Sequence, residues 1–195
     1  GGYFSQTTGN QDNSITEIRY GGKTENLNTY RVYAKHAARG PMDRLNDGSI
    51  NVDGSVNNTS GSNNDGSFNS RGGFRYDISS LENNVIKLRA DFFKNEARNY
   101  FQTSSVNAAN NKPNHKINSG GNVVVNWDKT ISKKSRTSLQ TSIYHDRNDI
   151  NVVDYKLTTI DVDFQHFYDF SDRSGFIWGL GYKNLIDKID SSAAI

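Results

Sequence analysis

Nine separate stretches of this chain read as strands, and in most of them apolar and polar side chains alternate one by one. In Tyr30–His36, Tyr30, Val32 and Ala34 share one parity, while Arg31, Tyr33 and Lys35 share the other. Val85–Phe93 sets Ile86, Leu88, Ala90 and Phe92 against Lys87, Arg89 and Asp91. Gly121–Asp128 sets Val123, Val125 and Trp127 against Asn122, Asn126 and Asp128. Thr159–Gln165 sets Ile160, Val162 and Phe164 against Asp161, Asp163 and Gln165. A pleated strand sends successive side chains to opposite faces, so this period of two predicts strands, and no stretch reads as a helix. The expected strands are 2–9, 14–22, 28–38, 68–78, 84–100, 116–129, 136–147, 154–169 and 175–184.

What each face carries narrows the fold. One parity is apolar and rich in aromatics; the other carries fixed charges of both signs in strand after strand. That combination is how a wall between lipid and a water-filled or plugged lumen is written. The connections agree. Gly22–Leu27, Ile78–Asn84, Thr130–Ser135 and Phe170–Ser174 are short, and they are every second connection. The long ones, Arg39–Ser67 and Phe101–His115, both fall in the other set, together with the brief Gly9–Asn13 and Asn148–Val153. An up-and-down barrel places alternate connections on one side of the membrane and keeps that side's turns short. A sandwich with Greek-key links gives no reason for such a rhythm. Trp127, Tyr168, Phe176, Trp178 and Tyr182 fall on outward positions or near strand ends, as in an interfacial girdle.

Composition supports the same architecture. Apolar residues make up 33% of 195 residues, with two prolines, and mean hydropathy is −0.78. This is poor material for a globular core, but sufficient where only alternate strand residues must be apolar. No apolar run approaches the roughly 18 residues of a membrane helix. The absence of cysteine excludes a disulfide framework or a thiolate metal site. A net charge of +2, with both signs interspersed, gives no reason to expect a nucleic-acid partner. The chain opens Gly1-Gly2-Tyr3 and is read as a segment of a longer protein.

Several strings resemble a known family. Tyr20-Gly21-Gly22-Lys23 followed by Tyr30-Arg31-Val32-Tyr33-Ala34-Lys35 resembles the first barrel hairpin of TonB-dependent outer-membrane receptors. Gly120-Gly121-Asn122 leading to Trp127, then Ser142-Ile143-Tyr144-His145-Asp146-Arg147, resemble two later strands. Asp161-Val162-Asp163-Phe164-Gln165-His166 and Trp178-Gly179-Leu180-Gly181-Tyr182 are similar to the next pair. The strings are collinear from about Ile15 to Tyr182. The resemblance implies a 22-stranded bacterial outer-membrane barrel whose lumen holds an N-terminal plug. It would import a siderophore-like or cobalamin-like ligand, a small molecule or metal chelate, with energy from the TonB complex. The plug, the TonB-contacting segment and the remaining strands are not in this sequence, and no cofactor is implied.

The expectation is therefore an all-β fold, an antiparallel up-and-down transmembrane β-barrel segment of about nine strands, open because incomplete. Residues 1–195 form one partial barrel domain bounded by outer-membrane lipid. Consecutive strands should pair as a meander, the first should not meet the ninth, and the long connections should share an end. The apolar set should lie on the convex face and the polar set on the concave one. Alternatives are a passive porin, an adhesin-type barrel, or a soluble all-β carbohydrate-binding domain with Trp127 and Trp178 stacking on sugar.

Candidate chemistry is sparse. His145-Asp146 and Asp163-x-x-His166 look like acid–base or metal pairs on paper, but odd spacings on a strand put the partners on opposite faces. No G-x-S-x-G elbow occurs, and no catalytic residue is assigned. The lumen-facing charges Arg31, Lys35, Lys87, Arg89, Asp91, Asp161 and Asp163 are candidates for contacting an anionic ligand or the plug, or for neutralising one another across strands. Asp43, Asp47, Asp53 and Asp65 punctuate a Gly-, Asn- and Ser-rich loop that offers hard oxygen ligands for Ca²⁺, although no EF-hand pattern is met. A solvated surface loop is the competing account of that stretch.

Overall fold

The computed structural model describes residues 1–41, 65–79, 82–99, 114–150 and 153–191. Nine strands follow one another: β1 (Gly2–Thr7), β2 (Asp12–Lys23), β3 (Thr29–Arg39), β4 (Ser67–Ile78), β5 (Asn84–Asn99), β6 (Asn114–Ser132), β7 (Ser135–Ile150), β8 (Val153–Ser171) and β9 (Ser174–Ser191). They form one antiparallel sheet in the order β1 to β9, each strand bonded to its sequence neighbours. The described residues contain no helix, and β1 does not pair with β9. The chain is thus an all-β open meander, as expected for a stretch of barrel wall. Because each strand reverses direction, the four short turns share one end, and the strand ends at Thr7, Asp12, Arg39, Ser67, Asn99, Asn114, Ile150 and Val153 lie at the other.

There is no core in the usual sense. Among the described residues, Ala90 is the one buried apolar side chain. The sheet is a single layer held by its ladders and by side chains that cover their neighbours on each face. Glycines sit where rings need room. Phe92 pairs with Gly121, and a Cβ there would stand 2.7 Å from the Phe92 ring. On the opposite face Phe93 pairs with Gly120 and takes the equivalent space. An aromatic ring laid over a cross-strand glycine compensates for the side chain that glycine lacks.

The short turns are closed by specific bonds. In the β2–β3 turn, Thr24 N donates to Asn28 O at 2.8 Å and Leu27 N to Thr24 O at 2.9 Å. This geometry holds Leu27 at φ 61°, a left-handed conformation that favours glycine or asparagine. Asn83, in the β4–β5 turn, adopts φ 58° with a residue type suited to it. Asn28 is buried and ties the first turn to β4. Its Oδ1 accepts from Ser79 N at 3.2 Å, and its Nδ2 donates to Tyr76 Oη at 3.4 Å.

Register fixes the faces without ambiguity, since directly paired residues of an antiparallel ladder point the same way. One row runs Tyr20, Val32, Phe74, Ala90, Val123, Ile143 and Ile160. The row two residues nearer the short turns continues Tyr30, Tyr76, Leu88, Val125, Thr141, Val162 and Tyr182. Every residue expected on the apolar face belongs to this set, and every expected polar-face residue belongs to the other.

The strands are also staggered. The last regular pair before the β2–β3 turn, Lys23 with Thr29, lies three residues beyond the Tyr20–Val32 pair. Before the β8–β9 turn, Asp169 with Gly175 lies nine residues beyond Ile160 with Asn184. The turn end thus advances by about one residue per strand. With a rise of about 3.3 Å and strand spacing of about 4.8 Å, the strands tilt by about 35° to the line of the turns.

Candidate functional site

Two surfaces carry the chemistry, one on each side of the sheet. On the apolar face the side chains form a band from Thr158 and Ile186 to Tyr168 and Phe176, half-buried along β8 as far as His166 and largely exposed on β9, where Asn184 interrupts the apolar run. Ten residues of strand cover about 33 Å, which at a tilt of about 35° is about 27 Å of height. Aromatics gather at the short-turn end. Trp178 meets Phe164 edge-on with centroids 5.5 Å apart, and Tyr168 meets Phe170 at 5.4 Å. Both indole N–H groups are engaged: Trp127 Nε1 donates to Asn84 Oδ1 at 3.1 Å, and Trp178 Nε1 to His166 Nδ1 at 3.0 Å.

The other border of the band is ionic. Beyond Ile186 the same face carries Lys188 and Asp190, beside Lys156 and Asp154 on β8 and Arg147 and Asp149 on β7. Lys156 Nζ lies 2.9 Å from Asp154 and 3.5 Å from Asp190, and Arg147 forks onto Asp154 with two bonds of 3.1 Å. The hydrogen bond from Lys156, then the Arg147 fork, holds the Asp154 carboxyl below its ordinary range; the same bond raises the Lys156 ammonium. The border runs obliquely across the register. The row holding Asp149, Asp154 and Asp190 starts on β2 with Ser14 and passes through Ala38, Phe68, Glu96 and Ile117. A staggered sheet lowers its early strands relative to its late ones, so one register row passes from inside the band to outside it. The alternation alone did not reveal this belt, because Arg147, Asp154 and Lys156 fell at the ends of expected strands while Asp149, Lys188 and Asp190 fell outside them.

His166 sits under the aromatic cluster with both ring nitrogens occupied. Ser135 Oγ lies 2.9 Å from Nε2, while the Trp178 N–H occupies Nδ1 as donor. A Trp N–H can only donate, so Nδ1 is the unprotonated nitrogen, and the Nε2–H donates to Ser135. That tautomer cannot take the Ser135 proton, so the Ser–His contact is no nucleophile–base pair. His145 lies on the apolar face and Asp146 on the polar one, and Asp163 and His166 are likewise divided.

On the polar face, the seven charges expected there share the face but do not form one site. Lys35 lies 3.6 Å from Glu17 and Lys87 3.9 Å from Asp128. Asp161 lies 3.7 Å from Lys183, and Asp163 accepts from Gln165 Nε2 at 2.9 Å. Asp91 accepts the hydroxyl of Tyr33. Arg31 and Arg89 stand on either side of Arg75, which pairs directly with both. Asp161 and Asp163 lie strands away on β8 and do not join them. The face is therefore divided. Its β3–β5 part is net basic, with Arg31, Lys35, Arg71, Arg75, Lys87 and Arg89 against Asp77 and Asp91, and its β7–β9 part is net acidic, with Asp146, Asp161, Asp163 and Asp187 against Arg136 and Lys183. Towards the long connections an amide ladder crosses the strands: Asn69 donates to Asn95 at 2.5 Å, Asn95 to Asn118 at 3.2 Å, and Asn118 to Asp146 at 3.0 Å.

Asp43, Asp47 and Asp53 lie outside the described residues; Asp65 is half-buried just before β4. No group of three His, Asp or Glu side chains able to hold a metal occurs among the described residues. No family model matches the chain, no curated protein matches it significantly, and no solved structure does.

Proposed function

We propose that this chain is a section of the wall of a bacterial outer-membrane β-barrel of the TonB-dependent receptor type, acting in ligand uptake rather than catalysis. The observation that carries the membrane part is the exposed apolar band. Its height of about 27 Å is close to the ~25 Å apolar belt of such barrels, its tilt is theirs, and aromatics line one border and charges the other. A soluble monomer does not leave a face of this extent uncovered. In this reading the band meets lipid, and the polar face meets water or a plug. The receptor type itself rests on the collinear strings between Ile15 and Tyr182. A soluble carbohydrate-binding domain is disfavoured, because Trp127 and Trp178 lie within the band with their N–H groups already engaged.

The test is made on the intact protein in its bacterial host. The protein should fractionate with the outer membrane and, once folded, migrate on gels differently before and after boiling. Uptake of its ligand should stop when TonB is removed. Uptake that continues without TonB would favour a passive porin, and a protein recovered in the soluble fraction would end the membrane reading.

A further inference from the structure

Three arginines stand side by side on the polar face. Arg31 on β3 pairs directly with Arg75 on β4, and Arg75 with Arg89 on β5. Like charges directly opposite one another across strands are destabilising, and arginine cannot shed its proton. The nearby carboxylates do not resolve the conflict. Asp77 is forked by Arg75 at 2.9 Å, Asp128 faces Lys87, Glu17 faces Lys35, and Asp91 is held by Tyr33. Arg31 and Arg89 have no carboxylate within ion-pair distance among the described residues. Beside the row lies a cavity of about 290 Å³ lined by Arg75, Lys87, Arg89, Asn126 and Asp128.

We infer that this row is a binding site for a small multivalent oxyanion, a compound bearing two or three carboxylate or phosphate groups. Guanidinium forks match such groups bidentately. Neighbouring strands are about 4.8 Å apart, so the three arginines span about 10 Å, enough to engage separate anionic groups of one molecule. One group enters the cavity between Arg89, Arg75 and Lys87, and another reaches Arg31. The acidic β7–β9 part of the same face repels the same molecule, so the site is confined to β3–β5. The inference uses the proposed function only in placing this face towards water.

The experiment is calorimetric titration of the intact protein in detergent micelles with citrate and with inorganic pyrophosphate, at low and high salt. Binding of at least one probe is expected. It should weaken at least tenfold in Arg89→Gln and in Arg31→Gln, weaken less in Arg89→Lys, fall with added salt, and be unchanged in Lys183→Gln. Failure of the native protein to bind either probe would overturn the site, as would equal binding by the glutamine variants. So would glutamine variants that unfold at lower temperature with no anion present, because polypeptide carboxylates would then already neutralise the row. None of these results depends on whether the opposite face enters lipid, which fractionation tests separately.

Discussion

Val125 and Asn126 are adjacent on β6, share their strand neighbours and differ in the face they serve. Val125, itself exposed, lies between the half-buried Leu88 and Thr141 in a row of largely apolar side chains. Asn126 lies between Lys87 and Gln140, and its amide donates to Gln140 at 2.8 Å. At this height one face offers apolar bulk, and the other offers amides and charges that bond to one another. A soluble sheet uses such a difference to put one face into a core. Here no second layer covers the apolar face among the described residues, so the difference has to be met by two different surroundings.

The largest expected effect breaks that comparison directly. Val125→Arg should impair assembly into lipid bilayers, with a cost of about 2–4 kcal/mol for a charge near mid-membrane, while Asn126→Arg should leave assembly nearly intact. Refolding yield into liposomes, read by boiling-sensitive gel migration, distinguishes them; equal losses at both positions would contradict the two-surroundings account.

Leu27→Gly is next in size. The left-handed backbone at Leu27 costs a side-chain-bearing residue about 1–2 kcal/mol, and the position lies in a turn outside the ladders. Glycine should therefore stabilise the folded protein by about 1 kcal/mol, offset in part by its greater freedom when unfolded. Denaturant unfolding in micelles measures it, and a loss of stability would mean that the Leu27 side chain itself anchors the turn.

The smallest effect concerns the ionic border. Asp154 is held below its ordinary carboxylate range when folded, so its contribution is present above that range and lost as pH falls through the lowered value. Acidification should loosen the long-connection end of β7 and β8 before the apolar band. The protection factors of residues 153–156, taken relative to the intrinsic exchange rate at each pH, should fall with acid in the native chain, and in Asp154→Asn they should be lowered already at neutral pH. Because these pairs are partly exposed, high salt should act in the same direction as acid, more weakly.

The sequence made the strands and their faces legible because period two is a local property. β1 to β9 all stand where the alternation places them, and the side chains assigned to each set share one side of the sheet. What local pattern did not carry is whatever depends on register. β9 runs to Ser191, seven residues beyond its expected end at Asn184, because Leu185 and Ile189 break the alternation while the ladder with β8 continues. The ionic border was split: Arg147, Asp154 and Lys156 lay in expected strands, while Asp149, Lys188 and Asp190 lay outside them, and only the register brings them together. The arginine row was half seen. Arg31 and Arg89 stood out as charges, but Arg75 joins them through pairings that no single strand displays. The Ca²⁺ reading of the loop keeps only Asp65 among the described residues.

The central claim, that one face meets lipid and the other does not, is tested most directly residue by residue along β8. The chain has no cysteine, so single cysteines at positions 160 to 165 each report one site without background labelling. With the intact protein in liposomes, a fluorophore at 160, 162 and 164 should be quenched by nitroxide lipids and resist a water-soluble thiol reagent. At 161, 163 and 165 it should escape the lipid quencher. An alternation with period two supports the account, and uniform exposure to the aqueous reagent at all six positions would contradict it.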